Sequence, residues 1–234
     1  MIISRPPICG PLDPSPVGND VLDCRMSSIG PASAAALGVF LAIEEGLRGE
    51  RASVRGATVV VHGLDSVGFA LCERLRDAGA RLIVSDANPA RARAASRLFD
   101  AQVVDEPAIF STHCDVLAPC SAAASRFIES STVIAAPLVC GTAADALFDV
   151  IDERGLIWLP DDLVASGGLI AGAMTLLRLG GSSEPVKMIS RIAHRVGEFL
   201  ERREGRSSKE VLDAWISERL AARPLWTGWT TIMR

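Results

Sequence analysis

From residue 57 onward, short apolar runs alternate with stretches of helical spacing. Ala57–His62 (ATVVVH) is β-branched and uninterrupted, the pattern of a parallel strand buried on both faces. Phe69–Ala78 repeats its apolar positions at helical spacing and stops at Gly79. Arg81–Ser85 (RLIVS) reads as a second strand. Asn88 is placed to cap a helix that carries Pro89 at its first position and runs to Phe99. Gln102–Val104 and Asp115–Ala118 follow as brief strands, the second with a short helical stretch after it. Thr132–Ala135 reads as a fifth strand, Gly141–Arg154 as a helix stopping at Gly155, and Leu156–Leu159 as a sixth strand.

Helices flank this alternation. Pro31–Gly49 carries Leu37, Phe40, Leu41 and Leu47 near one stripe. After the last strand only helical patterns remain: Ser166–Leu179, then Glu184–Glu204 with Pro185 in its first turn. Ser207 and Glu210 have capping-box spacing for one more. Residues 1–28 are rich in Pro, Gly, Asp and Ser and read as an extended arm. The tail, Pro224–Arg234, carries Trp226 and Trp229 and reads as irregular. Strands alternating with helices predict an α/β chain, a Rossmann-type doubly wound parallel sheet with a C-terminal helical extension. The expected division is an arm at 1–28, the sheet domain at 29–180, and helices and tail packing on it at 181–234.

Composition narrows the classes. The chain has 234 residues, 49% of them hydrophobic, enough for one sizeable core. Its formal net charge is −4, a mixed-sign balance that argues against a nucleic-acid partner. Six cysteines form no CxxC pair, so neither a zinc site nor a disulfide framework is expected. No run approaches the roughly 18 apolar residues of a membrane span, and Met1–Pro7 does not read as a signal peptide. The expectation is a cytoplasmic protein with a small-molecule ligand.

The chemistry concentrates where the first strand meets its helix. Gly63-Leu64-Asp65-Ser66-Val67-Gly68 occupies the place of a dinucleotide loop, and Asp86 ends the second strand about twenty residues on. An acid there accepts the ribose hydroxyls of an adenosine and favours NAD over NADP. Arg91 and Arg93 lie nearby and read as a solvated helix face. The G-x-G-x-x-G pattern fails at its middle glycine, which is Asp65. A carboxylate beside a pyrophosphate, within about 5 Å, repels it by about 3 kcal/mol. Alternatively the side chain turns to cap the following helix.

These stretches resemble the glutamate/leucine/phenylalanine/valine dehydrogenase family, most of all its leucine and phenylalanine branch. Ala34–Phe40, Val59–Gly68 with Cys72 and Leu75, and Leu82–Asn88 match in order. So do Leu156–Pro160 with Ser166-Gly167-Gly168, and Val211–Ala221. Asp13-Pro14-Ser15-Pro16 resembles the segment entering the family's second domain. The most specific piece is Cys114-Asp115-Val116-Leu117-Ala118-Pro119-Cys120. The resemblance implies NAD, with Ala118, Pro119 and Cys120 beside the cofactor. It also implies two lysines and an acid from a preceding domain, and nothing before Met1 is expected to supply them. The chain's two lysines, Lys187 and Lys209, fall in the C-terminal helices. The family's asparagines are matched by Ala135–Cys140 after the fifth strand and by Ala165 before the Gly-Gly pair, without Asn.

Other polar groups at strand ends each have an ordinary reading beside the functional one. His62 is a buried histidine or an acid–base, and Cys140 a buried thiol or a nucleophile. Asp161 and Asp162 cap the next turn or meet substrate; Ser121 stands at the fourth strand's end. Ser166 caps the Gly-Gly helix, whose N-terminus would face a ligand. Asp13 and Ser15 would fold over the cleft. Trp215, Trp226 and Trp229 serve packing or a homodimer contact through the C-terminal helices. Three functions stand: an NAD(H)-dependent oxidoreductase acting on an amino, imino or keto compound, a non-redox enzyme in the same crevice, and a non-catalytic ligand- or partner-binding relative.

Overall fold

The computed structural model describes residues 29–49, 52–126, 134–145, 151, 156–177, 184–203 and 205–222. Six parallel strands stand in the order β3-β2-β1-β4-β5-β6. They are β1 Thr58–His62, β2 Arg81–Ser85, β3 Gln102–Val103, β4 Val116–Pro119, β5 Leu138–Cys140 and β6 Ile157–Leu159. This is the doubly wound order, whose direction of winding reverses between β1 and β4. The helices are α1 Pro31–Gly49, α2 Ser66–Asp77, α3 Pro89–Phe99, α4 Glu106–Ile109, α5 Asp161–Val164, α6 Ser166–Leu177, α7 Glu184–Arg203 and α8 Ser208–Ala222. A 3-10 turn spans Ala122–Arg126.

Strand alternation sorts the core into two layers. Val59, Val61, Val116, Ala118, Leu138, Cys140 and Leu159 point to the face covered by α1, α2, α6 and α7. Val60, Leu117, Val139 and Trp158 point to the other face, with Ile109 and Phe110. Both faces are covered, so the centre of β1, Val59–Val61, can be apolar without a break. Helix α1 lies against α2, α6 and α7 and joins the C-terminal helices to the sheet. Helix α7 buries Val186, Ile189, Ile192, Val196 and Phe199, the stripe that its amphipathic pattern dictates.

Local signals are met at the caps. Asn88 accepts from the Ala90 N–H at 2.9 Å, with Pro89 in the first turn. Ser207 and Glu210 make the reciprocal capping box, with both backbone-to-side-chain distances 3.2 Å.

The fifth strand is a correction. It lies at Leu138–Cys140 rather than Thr132–Ala135, with Leu138 opposite Val116 and Val139 opposite Leu117. The apolar run continues from 132 through 140, so alternation alone does not choose which part pairs. Ile134 and Ala136 are buried against the second layer without joining the ladder. The residues after β5, Gly141–Ala144, run as a bend, so the helix expected from Gly141 does not begin there, while Asp145 opens a helical turn and Ile151 is helical; 146–150 and 152–155 fall outside the described residues, as do the arm at 1–28 and the tail with Trp226 and Trp229. Among the described residues no helix is long and apolar enough to cross a membrane.

Candidate functional site

The strand order reverses at β1 and β4, and their carboxyl ends meet closely. The Cys120 N–H donates to the His62 carbonyl at 2.7 Å. Gly63 follows β1 with φ +91°, and a Cβ there would lie 2.5 Å from the Ser121 Cβ. A Cβ at Gly68 would run into the Gly63 carbonyl oxygen. The first and third glycines of the loop thus do what such glycines do: one makes the turn and one lets helix approach strand.

The middle position is different. Asp65 is the N-cap of α2, with extended backbone, and its Oδ1 accepts from the Val67 N–H at 2.9 Å and the Gly68 N–H at 3.1 Å. Of the two placements open from sequence, the helix cap is the one adopted. Leu64 is buried, while Asp65 and Ser66 are exposed and Val67 is half-buried.

Asp86 follows β2, and its side chain is only 6% exposed. Its carboxylate accepts from the Leu64 N–H at 2.5 Å and from the Asn88 N–H at 2.7 Å. The acid therefore fastens the loop to the end of β2. Arg91 reaches the same carboxylate at 3.5 Å. Arg91 and Arg93 are both exposed on α3, the solvated face expected of them. Arg91 also joins Leu64, Asp65, Ser66, Phe69, Ala70 and Glu73 around an open cavity of about 510 Å³ on the outer flank of the loop.

Several expected site residues are interior. Ala118, Pro119 and Cys120 are buried at the end of β4, with Pro119 opposite His62 in the ladder. His62 is fully buried, 3.3 Å from the Glu106 carboxylate and tilted against Phe110. Burial lowers its pKa against the opposing pull of Glu106 and Asp86. Cys140 is fully buried, and burial pushes its thiol well up. Burial likewise raises Cys120 and Cys114 to about 12. Of the two readings of Cys140, the buried thiol is the one this burial favours.

At the other half of the sheet edge stands a carboxylate pair. Asp161 accepts from the Ala144 N–H at 2.8 Å and the Asp145 N–H at 3.3 Å, while its own N–H donates to Asp145 at 2.9 Å. Burial, then the Asp145 charge, raises the Asp161 carboxyl to about 7. Asp162 is exposed. Asp145 escaped sequence reasoning because its stretch was assigned to a helix; the G-T-A-A-D run directly after a strand was the missed signal. The loop compared with the family's asparagine is corrected to Gly141–Asp145, and it too contains no Asn.

Ser166 is the first residue of α6, and its hydroxyl donates to the Leu163 carbonyl at 2.9 Å. The Gly-Gly pair has a packing role: a Cβ on Gly167 would strike the Ala34 carbonyl of α1. Ser121 is half-buried and accepts from the Ala123 N–H at 3.3 Å. Lys187 is exposed and pairs with Glu184 at 2.9 Å; Lys209 is exposed on α8. Neither lysine stands at the sheet edge. Trp215 is 7% exposed, packed against Phe199 and beneath Arg219 and Arg202, the packing role among its two readings. Asp13 and Ser15 lie outside the described residues.

No family model matches the chain. L-tryptophan dehydrogenase of Nostoc punctiforme is 35% identical over 162 residues, which are 65% of this chain and 45% of that protein. Leucine dehydrogenase of Bacillus subtilis is 32% identical over 151 residues, 62% of this chain and 42% of the relative. The crystal structure of the Nostoc punctiforme L-tryptophan dehydrogenase superposes with a TM-score of 0.74 at 27% identity, covering 83% of this chain and 60% of that one. Hetero-hexameric glutamate dehydrogenase from Thermus thermophilus, at 22% identity and a TM-score of 0.59 over 81% of this chain and 52% of that one, shares the fold. The chain spans about half the length of the curated relatives it matches.

Proposed function

We propose that this chain, a homologue of the tryptophan, leucine and phenylalanine dehydrogenases over its Rossmann-type region, is an NAD(H)-dependent oxidoreductase module acting on an amino, imino or keto compound. The observation that carries the reading is Asp86. It sits at the end of β2, next to the strand-order reversal, with its carboxylate locked to the loop through Leu64. That is where an adenosine ribose is held in this architecture. The residues that would hold the group are Gly63, Leu64, Gly68 and Asp86, and the cofactor would supply the hydride chemistry. The adenosine end of the site fits. The pyrophosphate end does not fit while Asp65 caps α2.

The test is direct titration with NADH and NADPH, followed by fluorescence and thermal unfolding. The expected result is saturable NADH binding that raises Tm. No response at about millimolar cofactor sinks the reading, because such a ligand would contribute almost nothing to stability. Arg91 beside Asp86 makes NADPH the informative competitor, since an arginine there accommodates a 2′-phosphate. Tighter binding of NADPH overturns the NAD assignment alone.

A second reading, a non-redox or non-catalytic relative, is favoured by the Asp65 cap and by two lysines placed away from the sheet edge. It predicts either turnover without nicotinamide that is lost in Asp161→Asn, or no turnover and a stable complex in pull-down.

A further inference from the structure

We infer that the Asp65 carboxylate is a built-in occupant of the phosphate position, so that the crevice discriminates against ligands carrying a phosphate there. The inference rests on the dinucleotide reading of the same loop and goes beyond it.

Capping and obstruction are one event. The free N–H groups of a helix's first turn carry its positive end, and in a nucleotide fold they receive the pyrophosphate. In α2 the Val67 and Gly68 N–H groups both point to Asp65 Oδ1, at 2.9 and 3.1 Å. The carboxylate has not turned away from the anion cradle; it fills it. The rest of the loop keeps the geometry of a phosphate turn. Gly63 retains its left-handed φ of +91° against Ser121, and Gly68 retains its close approach to the Gly63 carbonyl. Only the group in the middle has changed, from no side chain to an anion.

The surrounding charge does not offset it. Asp65 and Glu73 line the same cavity, and the cation there, Arg91, lies against Asp86. No acid other than the cap stands at the start of α2: its first turn is Ser66-Val67-Gly68-Phe69. A ligand phosphate entering the cradle must break both cap hydrogen bonds and push the carboxylate into a cavity that already holds Glu73. A phosphate-free ligand held by Asp86 alone meets none of this. The ligand class the loop admits as it stands is therefore a nucleoside-type group with ribose hydroxyls and no phosphate at α2. Dinucleotides pay a penalty set by one side chain.

The experiment compares wild type, Asp65→Gly and Asp65→Asn by calorimetric titration with adenosine, ADP and NADH. Asp65→Asn keeps an efficient helix cap while removing the charge, so it guards against loss of fold in the glycine variant. Retained Tm in Asp65→Asn certifies the comparison. The expected result is NADH and ADP affinity raised about a hundredfold in Asp65→Gly and at least about tenfold in Asp65→Asn. Adenosine affinity stays within about twofold, because its ribose contact is to Asp86. Equal NADH affinity in all three proteins overturns the inference and leaves the dinucleotide reading standing. Failure of adenosine and NADH alike to bind any of the three overturns the dinucleotide reading, and the inference with it. A parallel rise for adenosine also overturns the inference, since the effect would then not be directed at phosphate.

Discussion

Asp161 and Asp145 brace each other through their backbones, and the cost of that bracing is electrostatic. Each carboxylate accepts the other's N–H, which ties the loop after β5 to the start of α5. Burial and the Asp145 charge raise Asp161 from 3.8 to about 7. Between those values the folded state holds a proton that the unfolded chain has released. Stability from this group therefore falls as pH rises from about 4 to about 7 and levels off above that. Asp161→Asn keeps the acceptor oxygen and removes the ionisation. The Tm difference between variant and wild type should grow in the variant's favour across this range and be flat above pH 8. His62 works in the opposite sense, because burial lowers its pKa, so the difference between the two proteins is the quantity to read. A Tm difference independent of pH would refute the coupling. The sequence showed Asp161 at a strand end but not its partner. The pair exists only once β5 is placed at Leu138–Cys140, and that choice depends on pairing across the sheet.

Elements with chemical end-signals were legible, and those defined by tertiary contact were not. The Asn88 cap and the Ser207–Glu210 box are local, a few residues in span, so sequence spacing suffices to find them. Replacing Ser207 by Ala leaves the Glu210 N–H without its acceptor and should destabilise the chain by about 1 kcal/mol in chemical unfolding. An unchanged midpoint would mean that α8 is held only by its packing. The Gly-Gly start of α6 was read as a capped helix start that could face a ligand, and its packing role was not legible. Its glycines admit the backbone of α1, an element more than a hundred residues earlier in the chain. Loop glycines are different, because strand–turn–helix order fixes their neighbours. Gly68→Ala places a methyl against the Gly63 carbonyl and should cost about 1–3 kcal/mol by overpacking. A fully stable Gly68→Ala would show that the loop can relax away from β4.

At the scale of the molecule, strand–helix alternation was enough to give the doubly wound sheet, because a buried parallel sheet needs helices on both faces. It gave less of the site, since whether the Asp65 carboxylate caps its own helix is a matter of rotamer. The sheet lies between the two cores, and among the described residues Leu212 of α8 also packs against both. Cys72, Cys120 and Cys140 belong to the core under α1 and α2, and Cys114 to the core on the opposite face. All four are buried with raised thiol pKa values. They therefore react with a thiol reagent only when their own layer opens. In a background with Cys9 and Cys24 changed to Ser, all four should label together, at the denaturant concentration where helical signal is lost. Val59, Val60 and Val61 alternate between the layers on one strand, so neither layer can open without exposing the back of the other. Labelling of Cys114 at distinctly lower denaturant than Cys140 would show that the face carrying Ile109, Phe110 and Trp158 is a separate, weaker cooperative unit. His62 and Glu106 sit on that face at the end of β1, so its early opening would loosen the nucleotide loop before the rest of the sheet gives way.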